Sequence, residues 1–340
     1  MVRYSNWPLI SPEDIRPFDD RLEVVGVFNP GVTMYEDQVL LLLRVAVRPK
    51  AEEGKICVLT QRNGEFDICD LSNDCYDCSD ERVYVGKDKK YLSSLSYFTV
   101  AVSRDGIHFE IKEDSVLLPS EELESYGIED PRIIHIDDYY YVIYSGVSEC
   151  GICGMLGRTK DFRSFEKLGA ILHPDNKDAT LFPEKINGKY YMLHRPASAE
   201  FSRVNIWIAE SDTLTEWGNH RCIMKTRPGE WDGARIGSSG VPFKTDKGWL
   251  VVYHGADKTN RYCLGAMLLD LNEPWKVIGR TKKPFLEPMT GCEKNGFFSN
   301  VVFSCGGIST EESLKIYYGA ADKYVCGGEI NISEIMNMIE

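Results

Sequence analysis

The sequence predicts an all-β protein: a five-bladed β-propeller that ends in a short carboxy-terminal helix. Aromatic-rich strand patterns recur along the chain, each preceded by a short strand and a polar turn. Helical periodicity is scarce, and its clearest instance is the tail at 332–339. Length alone permits one large domain or two smaller ones, but five units of one kind place residues 1–340 in a single domain.

Each repeated unit has a short dipeptide signal before its aromatic-rich strand. The predicted strands are 39–44, 139–144, 188–195, 248–254 and 314–319. The signals before them are Asn29-Pro30, Asp130-Pro131, Phe182-Pro183, Val241-Pro242 and Asn300-Val301. A pair of β-sandwiches is the alternative architecture, but it does not predict repeats of this kind.

A propeller would bring the ends of equivalent strands together at one axial funnel. Residues far apart in sequence would then share one pocket, and the strand ends suggest which ones: Asn29, Arg44, Asp130, Arg195, His254 and Asp322. The segment 63–90 is polar, acidic and cysteine-containing, so we interpret it as a long insertion or a lid-like loop near the funnel mouth.

Charge and hydropathy exclude several classes of partner. The formal net charge is −13, which disfavours nucleic acid and anionic membranes as partners. The first eight residues lack an apolar signal-peptide core, and the longest apolar run, 39–43, is too short to span a bilayer. We therefore expect a cytoplasmic protein, and an anionic substrate would need a local cluster of cations.

The eleven cysteines include two Cys-x-x-Cys pairs, Cys75/Cys78 and Cys150/Cys153. A zinc site or a redox dithiol is one interpretation of such pairs. Neither pair has a second ligand pair at zinc-finger spacing, so we interpret them as loop or core cysteines. No metal and no organic cofactor is predicted.

Two adjacent carboxylates, Glu129 and Asp130, lie just before a predicted strand. Neighbours in an extended chain point to opposite faces, so we expect only one of them to face the funnel. Asp130 is the better candidate for an acid, because it occupies the repeat position and Pro131 fixes the backbone beside it. The alternative is a solvated turn with a salt bridge to Arg132.

Four cations form a second group: Lys177, Arg195, Arg235 and His254. Any one of them taken alone is more typical of a surface salt bridge. Together, in a strongly acidic protein, they indicate an anion site. Arginine suits phosphate because its planar fork donates two parallel hydrogen bonds.

Long motifs in a fixed order carry a family resemblance. They are 28–31 (FNPG), 127–132 (GIEDPR), 181–191 (LFPEKINGKYY), 194–196 (HRP), 248–255 (GWLVVYHG), 268–274 (LLDLNEP) and 317–322 (YYGAAD). With them the chain resembles the mannoside phosphorylases of glycoside hydrolase family 130, which are five-bladed propellers. The stretches 23–31 and 295–298 are most similar to members that cleave β-1,2-linked mannobiose and oligomannans.

The resemblance implies a role for each matching residue. Asp130 matches the catalytic acid, and the phosphate-binding set is Lys177, Arg195, Arg235 and His254. Asn29, Arg44 and Asp322 match residues that hold the mannose, and we add Asp178 to this substrate-binding set. In β-1,4-specific relatives, Arg235 is replaced by lysine, Lys177 by arginine, and Glu129 can be non-acidic.

The expected reaction is an inverting, reversible phosphorolysis that yields α-D-mannose 1-phosphate. An inverting hydrolase needs a second carboxylate as base, whereas a phosphorylase uses inorganic phosphate as co-substrate and nucleophile. Asp130 should have a raised pKa to stay protonated near neutral pH, and the family passes its proton through the 3-hydroxyl of the mannose.

Other interpretations stay open at this point. One is a β-1,4-mannoside phosphorylase. Another is an inverting β-mannosidase with Glu230 or Asp232 as base. A third is a non-catalytic propeller that binds sugars or proteins. The partners we expect are a β-mannoside and phosphate, and a homo-oligomer is possible.

Overall fold

A computed structural model describes residues 1–5, 7–62, 65–72, 76–80, 82–120, 122–197 and 203–340. Over these ranges the protein is all-β, as predicted, with two short α-helices, α1 (Gly291–Lys294) and α2 (Ile332–Asn337). Two 3-10 helices span Pro12–Asp14 and Glu122–Glu124. The helix α2 is the predicted carboxy-terminal helix. Among the described helices, none is long and apolar enough to cross a lipid bilayer.

The strands of the first half of the chain are β1 (Val2–Arg3), β2 (Leu22–Tyr35), β3 (Gln38–Pro49), β4 (Cys57–Arg62), β5 (Glu65–Asp70), β6 (Asp77–Asp80), β7 (Val83–Val85), β8 (Lys90–Leu92), β9 (Leu95–Ser103), β10 (Glu110–Leu117), β11 (Gly127–Ile136), β12 (Tyr139–Ser148), β13 (Gly151–Thr159) and β14 (Glu166–Leu172). Those of the second half are β15 (Asn176–Leu181), β16 (Tyr190–Pro196), β17 (Ile206–Ser211), β18 (Gly218–Met224), β19 (Arg235–Ser238), β20 (Phe243–Thr245), β21 (Gly248–Ala256), β22 (Tyr262–Leu269), β23 (Val277–Arg280), β24 (Val302–Ser309), β25 (Ser313–Ala320) and β26 (Tyr324–Asn331).

Antiparallel units of four main strands follow one another along the chain. The first unit contains β2, β3, β9 and β10, and the second contains β11 to β14. A single parallel pair, Ser96 with Gly127, joins these two units into one sheet. The third unit is β15 to β18, and the fourth is β19, β21, β22 and β23 with β20 beside β21. The fifth unit contains β24 to β26 and the amino-terminal strand β1, which pairs with β26.

The five predicted aromatic-rich strands are confirmed as β3, β12, β16, β21 and β25. Each pairs with the first strand of its own unit. In the first three units, that first strand carries a register shift around one residue in the left-handed region: Asn29 (φ 46°), Asp130 (φ 53°) and Asp178 (φ 54°). The third unit corrects the predicted repeat, because Asp178, not Phe182-Pro183, occupies the position of Asp130.

Neighbouring units pack against each other through apolar clusters. Each of these clusters draws buried side chains from two successive units, and one cluster joins the fifth unit to the first. Representative pairs are Leu42 with Val142, Ile143 with Met192, Leu193 with Val251, Leu250 with Ile316, and Tyr317 with Leu41. The hydrophobic effect therefore holds the units face to face, since these side chains leave water only when the units pack.

The segment between β3 and β9 holds two small sheets, and it is longer than the predicted insertion at 63–90, because β4 begins at Cys57 and β8 ends at Leu92. The strands β4 and β5 form a hairpin, and β6, β7 and β8 form a three-stranded sheet. Asn63 and Cys75 lie outside the described residues. Of the other Cys-x-x-Cys pair, Cys150 is exposed and Cys153 is buried in the core.

Core packing at the contact between the fourth and fifth units can be tested with two isoleucine substitutions. Ile316 is 1% exposed on β25 and belongs to the cluster between these units. We expect Ile316→Ala to lower the free energy of unfolding by about 2–5 kcal/mol, because it leaves a cavity. Ile278 on β23 is 55% exposed, so Ile278→Ala should cost less than about 0.5 kcal/mol. Urea denaturation measures both, and equal losses would contradict the packing described.

Candidate active site

A pocket of about 520 Å³ opens where the first strands of the units meet. It collects eight of the nine residues that the sequence singled out: Asn29, Arg44, Asp130, Lys177, Asp178, Arg195, Arg235 and Asp322. Arg82 and Val83 of the insertion also line it, as do five aromatic residues, Phe28, Tyr262, Phe297, Phe298 and Phe303. The strands and turns thus bring charges from all five units and the insertion into one concave site, the usual form of a small-molecule site.

Both carboxylates of the adjacent pair line the pocket, so the expectation that only one would face it is wrong. Strict alternation holds only for regular strands. Here the ladder shifts register between Glu129 and Arg132, and Asp130 adopts a left-handed conformation. Such a bulge re-aims side chains, and it turns both Glu129 and Asp130 toward the same space.

Arg44 joins the two carboxylates. Its Nη1 lies 2.9 Å from Oδ1 of Asp130, and its Nη2 lies 2.7 Å from Oε1 of Glu129. Nδ2 of Asn29 donates a second hydrogen bond, of 2.9 Å, to the same Oδ1 of Asp130. The guanidinium of Arg44 also lies 4.6 Å from the centre of the Phe28 ring. The carboxyl of Asp130 is therefore held by donors from the first unit while its backbone belongs to the second.

The pKa of Asp130 is lowered from its ordinary value, which corrects the expectation of a raised one. Burial raises this pKa, but the opposing charges of Arg44, Arg132 and Lys177 and the hydrogen bond from Asn29 outweigh burial. This balance of charges favours the ionised carboxylate of Asp130 at neutral pH.

The pKa of Asp322 is shifted in the opposite direction to that of Asp130. It lies in the turn between β25 and β26, and burial raises its pKa to about 6. Arg44 lowers this pKa, whereas the charges of Asp130 and Glu129 raise it further. The pocket therefore contains two aspartates whose environments push their pKa values apart, a pattern that is frequent at functional sites.

Cations from the third unit also line the pocket. Nζ of Lys177 lies 3.2 Å from Oε2 of Glu129. Nη1 of Arg195 lies 2.5 Å from Oδ2 of Asp178, and Arg132 reaches the other oxygen, Oδ1, at 3.1 Å. Both oxygens of Asp178 are thus engaged by arginines, so this residue, predicted to bind substrate, also orients the cations around it.

His254 is the predicted site residue that does not line the pocket. It is fully buried, and its Nε2 lies 3.0 Å from Nη1 of Arg195 and 3.1 Å from Oδ2 of Asp178. A side chain on Gly237 would come within 2.6 Å of this imidazole, so only glycine allows the approach. Burial lowers the pKa of His254 more than Asp178 raises it, which favours the neutral ring. His254 therefore supports Arg195 from behind.

Arg235 lies apart from this network. Its Nη1 donates to the hydroxyl of Tyr262 at 3.0 Å, and its Nη2 donates to Oδ1 of Asn260 at 2.9 Å. Both partners are neutral, so the charge of Arg235 is not balanced by a carboxylate in these contacts. It remains available to an anionic ligand in the pocket.

Sequence reasoning missed the role of Arg132, which it treated as the partner in a solvated turn. Its side chain is 2% exposed and its carboxylate partner is Asp178, so the solvated-turn alternative is wrong. The signal was present, because residues two apart on a strand share a face, although a bulge intervenes here. Asp232, considered as a base, is fully buried against Arg227 and Tyr253, and neither it nor Glu230 lines the pocket.

Comparison with known proteins finds relatives that match most of the chain. A family model of glycoside hydrolase family 130, described as beta-1,4-mannooligosaccharide phosphorylase, matches residues 70–340. The chain is 47% identical to a beta-1,2-mannobiose phosphorylase of Listeria innocua, over 100% of this chain and 98% of that protein. It is also 47% identical to a 1,2-beta-oligomannan phosphorylase of Thermoanaerobacter sp., over 69% of this chain and 78% of that protein.

A solved structure of a relative is also similar to this chain over nearly its full length. The Listeria innocua beta-1,2-mannobiose phosphorylase in complex with beta-1,2-mannobiose superposes with a TM-score of 0.93 at 46% identity, covering 99% of this chain and 98% of that one. Sequence and backbone therefore agree over nearly the full length, and the chain belongs to glycoside hydrolase family 130.

Proposed function

We propose that this protein is an inverting glycoside phosphorylase that cleaves β-1,2-mannobiose or short β-1,2-mannooligosaccharides with inorganic phosphate and releases α-D-mannose 1-phosphate. The observation that carries the proposal is one pocket in which a buried carboxylate, Asp130, lies beside a group of cations in a protein of net charge −13. Full-length identity of 47% to an enzyme named for β-1,2-mannobiose supports the substrate and the linkage.

The architecture we infer is a five-bladed propeller in one domain, each antiparallel unit being a blade. Two features support this inference. Every unit packs on the next through an apolar cluster, and the fifth packs on the first. The amino-terminal strand β1 completes the last unit, which ties the two ends of the chain together.

In the proposed reaction, Asp130 is the general acid, and Asn29, Arg44 and Asp322 hold the mannose to be transferred. Lys177, Arg195 and Arg235 bind phosphate, with His254 behind Arg195. Phosphate attacks the anomeric carbon from the face opposite the leaving sugar, so a β-mannoside gives an α-phosphate. The cations hold phosphate in line and offset its charge, so a positioned anion needs no base, no metal and no organic cofactor.

A general acid must carry a proton, and the lowered pKa of Asp130 works against this. Binding of phosphate counteracts the lowering. The positive charge of Lys177 lowers that pKa. A phosphate dianion beside Lys177 adds negative charge near Asp130, which favours the protonated carboxyl. The carboxyl of Asp130 therefore carries its proton when phosphate, the nucleophile, is in place.

The hydrolytic alternative has less support. An inverting mannosidase needs a second carboxylate across the sugar ring to activate water. Glu129 and Asp178 are each engaged by cations, and Asp232 and Glu230 do not line the pocket among the described residues. The β-1,4 linkage is the alternative that the family model's description leaves open.

Phosphate dependence tests the proposal directly. The protein incubated with β-1,2-mannobiose and phosphate should yield mannose and α-mannose 1-phosphate in equal amounts, because phosphate is the nucleophile. Phosphorus NMR identifies the phosphate ester and its anomer, and β-1,4-mannobiose in parallel tests the linkage. Release of free mannose at the same rate without phosphate would mean that the protein is a hydrolase.

Replacement of the acid should remove most of the activity without unfolding the protein. We expect Asp130→Asn to lower kcat about 10²- to 10⁴-fold, the usual contribution of a general acid. Asp137 has the same φ of 53° in an exposed hairpin turn, so Asp137→Asn controls for the backbone conformation and should leave kcat unchanged. Steady-state kinetics measure both, and a fully active Asp130→Asn protein would remove Asp130 from the mechanism.

Arg235, whose partners in the pocket are the neutral Tyr262 and Asn260, gives a test of phosphate binding. Arg235→Gln should raise KM for phosphate about 10- to 100-fold, because hydrogen bonds to charged groups contribute about 1.5–3 kcal/mol. KM for mannobiose should change much less. Arg221→Gln is the control, since Arg221 is 44% exposed and does not line the pocket. An equal rise in KM for both substrates would argue against a phosphate site at Arg235.

A further inference from the structure

Arg132 is a buried cation that has no assigned role in the proposed reaction. Its side chain is 2% exposed, and it is not among the residues that line the pocket. A buried guanidinium is costly unless its charge is paired and its hydrogens are bonded. Its partners therefore reveal what the residue holds in place.

The guanidinium of Arg132 contacts three successive units. Nη1 donates to the backbone oxygen of Asp130 at 2.8 Å, within the second unit. Nη2 donates to Oδ1 of Asp178 at 3.1 Å, in the third unit. Nε donates to the backbone oxygen of Ser239 at 3.1 Å and Nη2 to that of Ser238 at 3.3 Å, where β19 of the fourth unit ends. All three nitrogens thus form hydrogen bonds, and two of the residues that they hold, Asp130 and Asp178, line the pocket.

On the acid side, Arg132 fixes the bulge that aims Asp130. The left-handed conformation of Asp130 is unfavourable for a residue with a side chain, so the surrounding structure must impose it. The bond from Nη1 of Arg132 holds the carbonyl of this same residue. Releasing it would let the bulge relax, and the carboxyl would move with the backbone.

On the phosphate side, Arg132 acts through Asp178. While Arg132 holds Oδ1 of Asp178, the other oxygen, Oδ2, lies 2.5 Å from Nη1 of Arg195 and 3.1 Å from Nε2 of His254. The hydroxyl of Ser238 also donates to the backbone oxygen of Asp178, at 2.5 Å. The carboxylate of Asp178 is thus a rigid bridge between Arg132 and Arg195.

We propose that Arg132 is a positioning residue that sets the distance between the general acid Asp130 and the phosphate-binding Arg195, acting through Asp178. This inference rests on the proposed function. In an inverting displacement the acid serves the leaving oxygen while phosphate approaches the opposite face, so their separation must match one substrate geometry. A misplacement of about 1 Å can cost about 100-fold in rate.

Arg132→Lys keeps the positive charge but removes the planar guanidinium, so it tests the geometry of the side chain separately from its charge. A single ammonium cannot bond Asp130, Asp178 and Ser239 from one plane as the guanidinium does. We expect Arg132→Lys to lower kcat about 100-fold and to raise KM for phosphate about tenfold, with a smaller change in KM for mannobiose.

Arg227 provides the matched control. It also forks onto a buried aspartate, with Nε 2.9 Å from Oδ1 and Nη2 2.8 Å from Oδ2 of Asp232, but neither residue lines the pocket. Arg227→Lys should lower the melting temperature and leave kcat and KM for phosphate within about threefold of the wild type. A purely structural role for Arg132 predicts that both lysine variants behave alike.

The relay through Asp178 adds a second test. Asp178→Asn keeps the shape of the side chain but weakens its hold on Arg195, so it should also lower kcat and raise KM for phosphate. If the two residues act in series, the Arg132→Lys, Asp178→Asn double variant should be no slower than the slower single variant.

The outcomes separate the inference from the function on which it rests. A wild-type protein that does not convert β-1,2-mannobiose and phosphate would refute the proposed function. An active wild type together with an unimpaired Arg132→Lys variant, or with fully additive losses in the double variant, would overturn the positioning role alone. If Arg132→Lys does not fold, as judged by circular dichroism, Asp178→Asn decides: unchanged kinetics would overturn the inference.

Discussion

The structure depends on the mutual neutralisation of buried charges around the pocket. Arg44 holds Asp130 and Glu129, and Asp178 is held by Arg132 and Arg195. None of these ions would be stable in the interior alone, because removing one charge from water costs several kcal/mol in a real protein. Arg44 and Arg132 each reach a carboxylate in the next unit, so these charges are neutralised only when the units are assembled. The same contacts that permit burial therefore also form the site.

Backbone geometry makes this neutralisation possible. A regular strand would send Glu129 and Asp130 to opposite faces, but the bulge brings both to the pocket. Asn29, Asp130 and Asp178 all adopt left-handed φ values, and asparagine and aspartate tolerate these better than most residues. Each such residue costs about 1–2 kcal/mol in backbone strain, which the ion pairs and hydrogen bonds around it offset.

Charge placement also explains how an acidic protein can accept an anion. The net charge is −13, yet the pocket presents Lys177, Arg195 and Arg235 to its interior. Arg195 is already oriented by Asp178, so little reorganisation is needed when an anion arrives. The lowered pKa of Asp130 belongs to the same balance, since Lys177 also lowers the pKa of that carboxyl.

The sequence by itself determined the all-β class, the five aromatic-rich strands and five of the residues that line the pocket, because period-two patterning and strand-end residues are local features. Lys177, Asp178 and Arg235 came from the cation group and the family resemblance. Motifs such as 127–132 also indicated the family. Only the tertiary structure decided that Glu129 faces the pocket, that His254 lies behind Arg195 and that the pKa of Asp130 is low. The physical reason is that bulges, burial and the sum of nearby charges depend on residues from several units, such as Arg44 and Arg132 around Asp130. No local pattern contains that information.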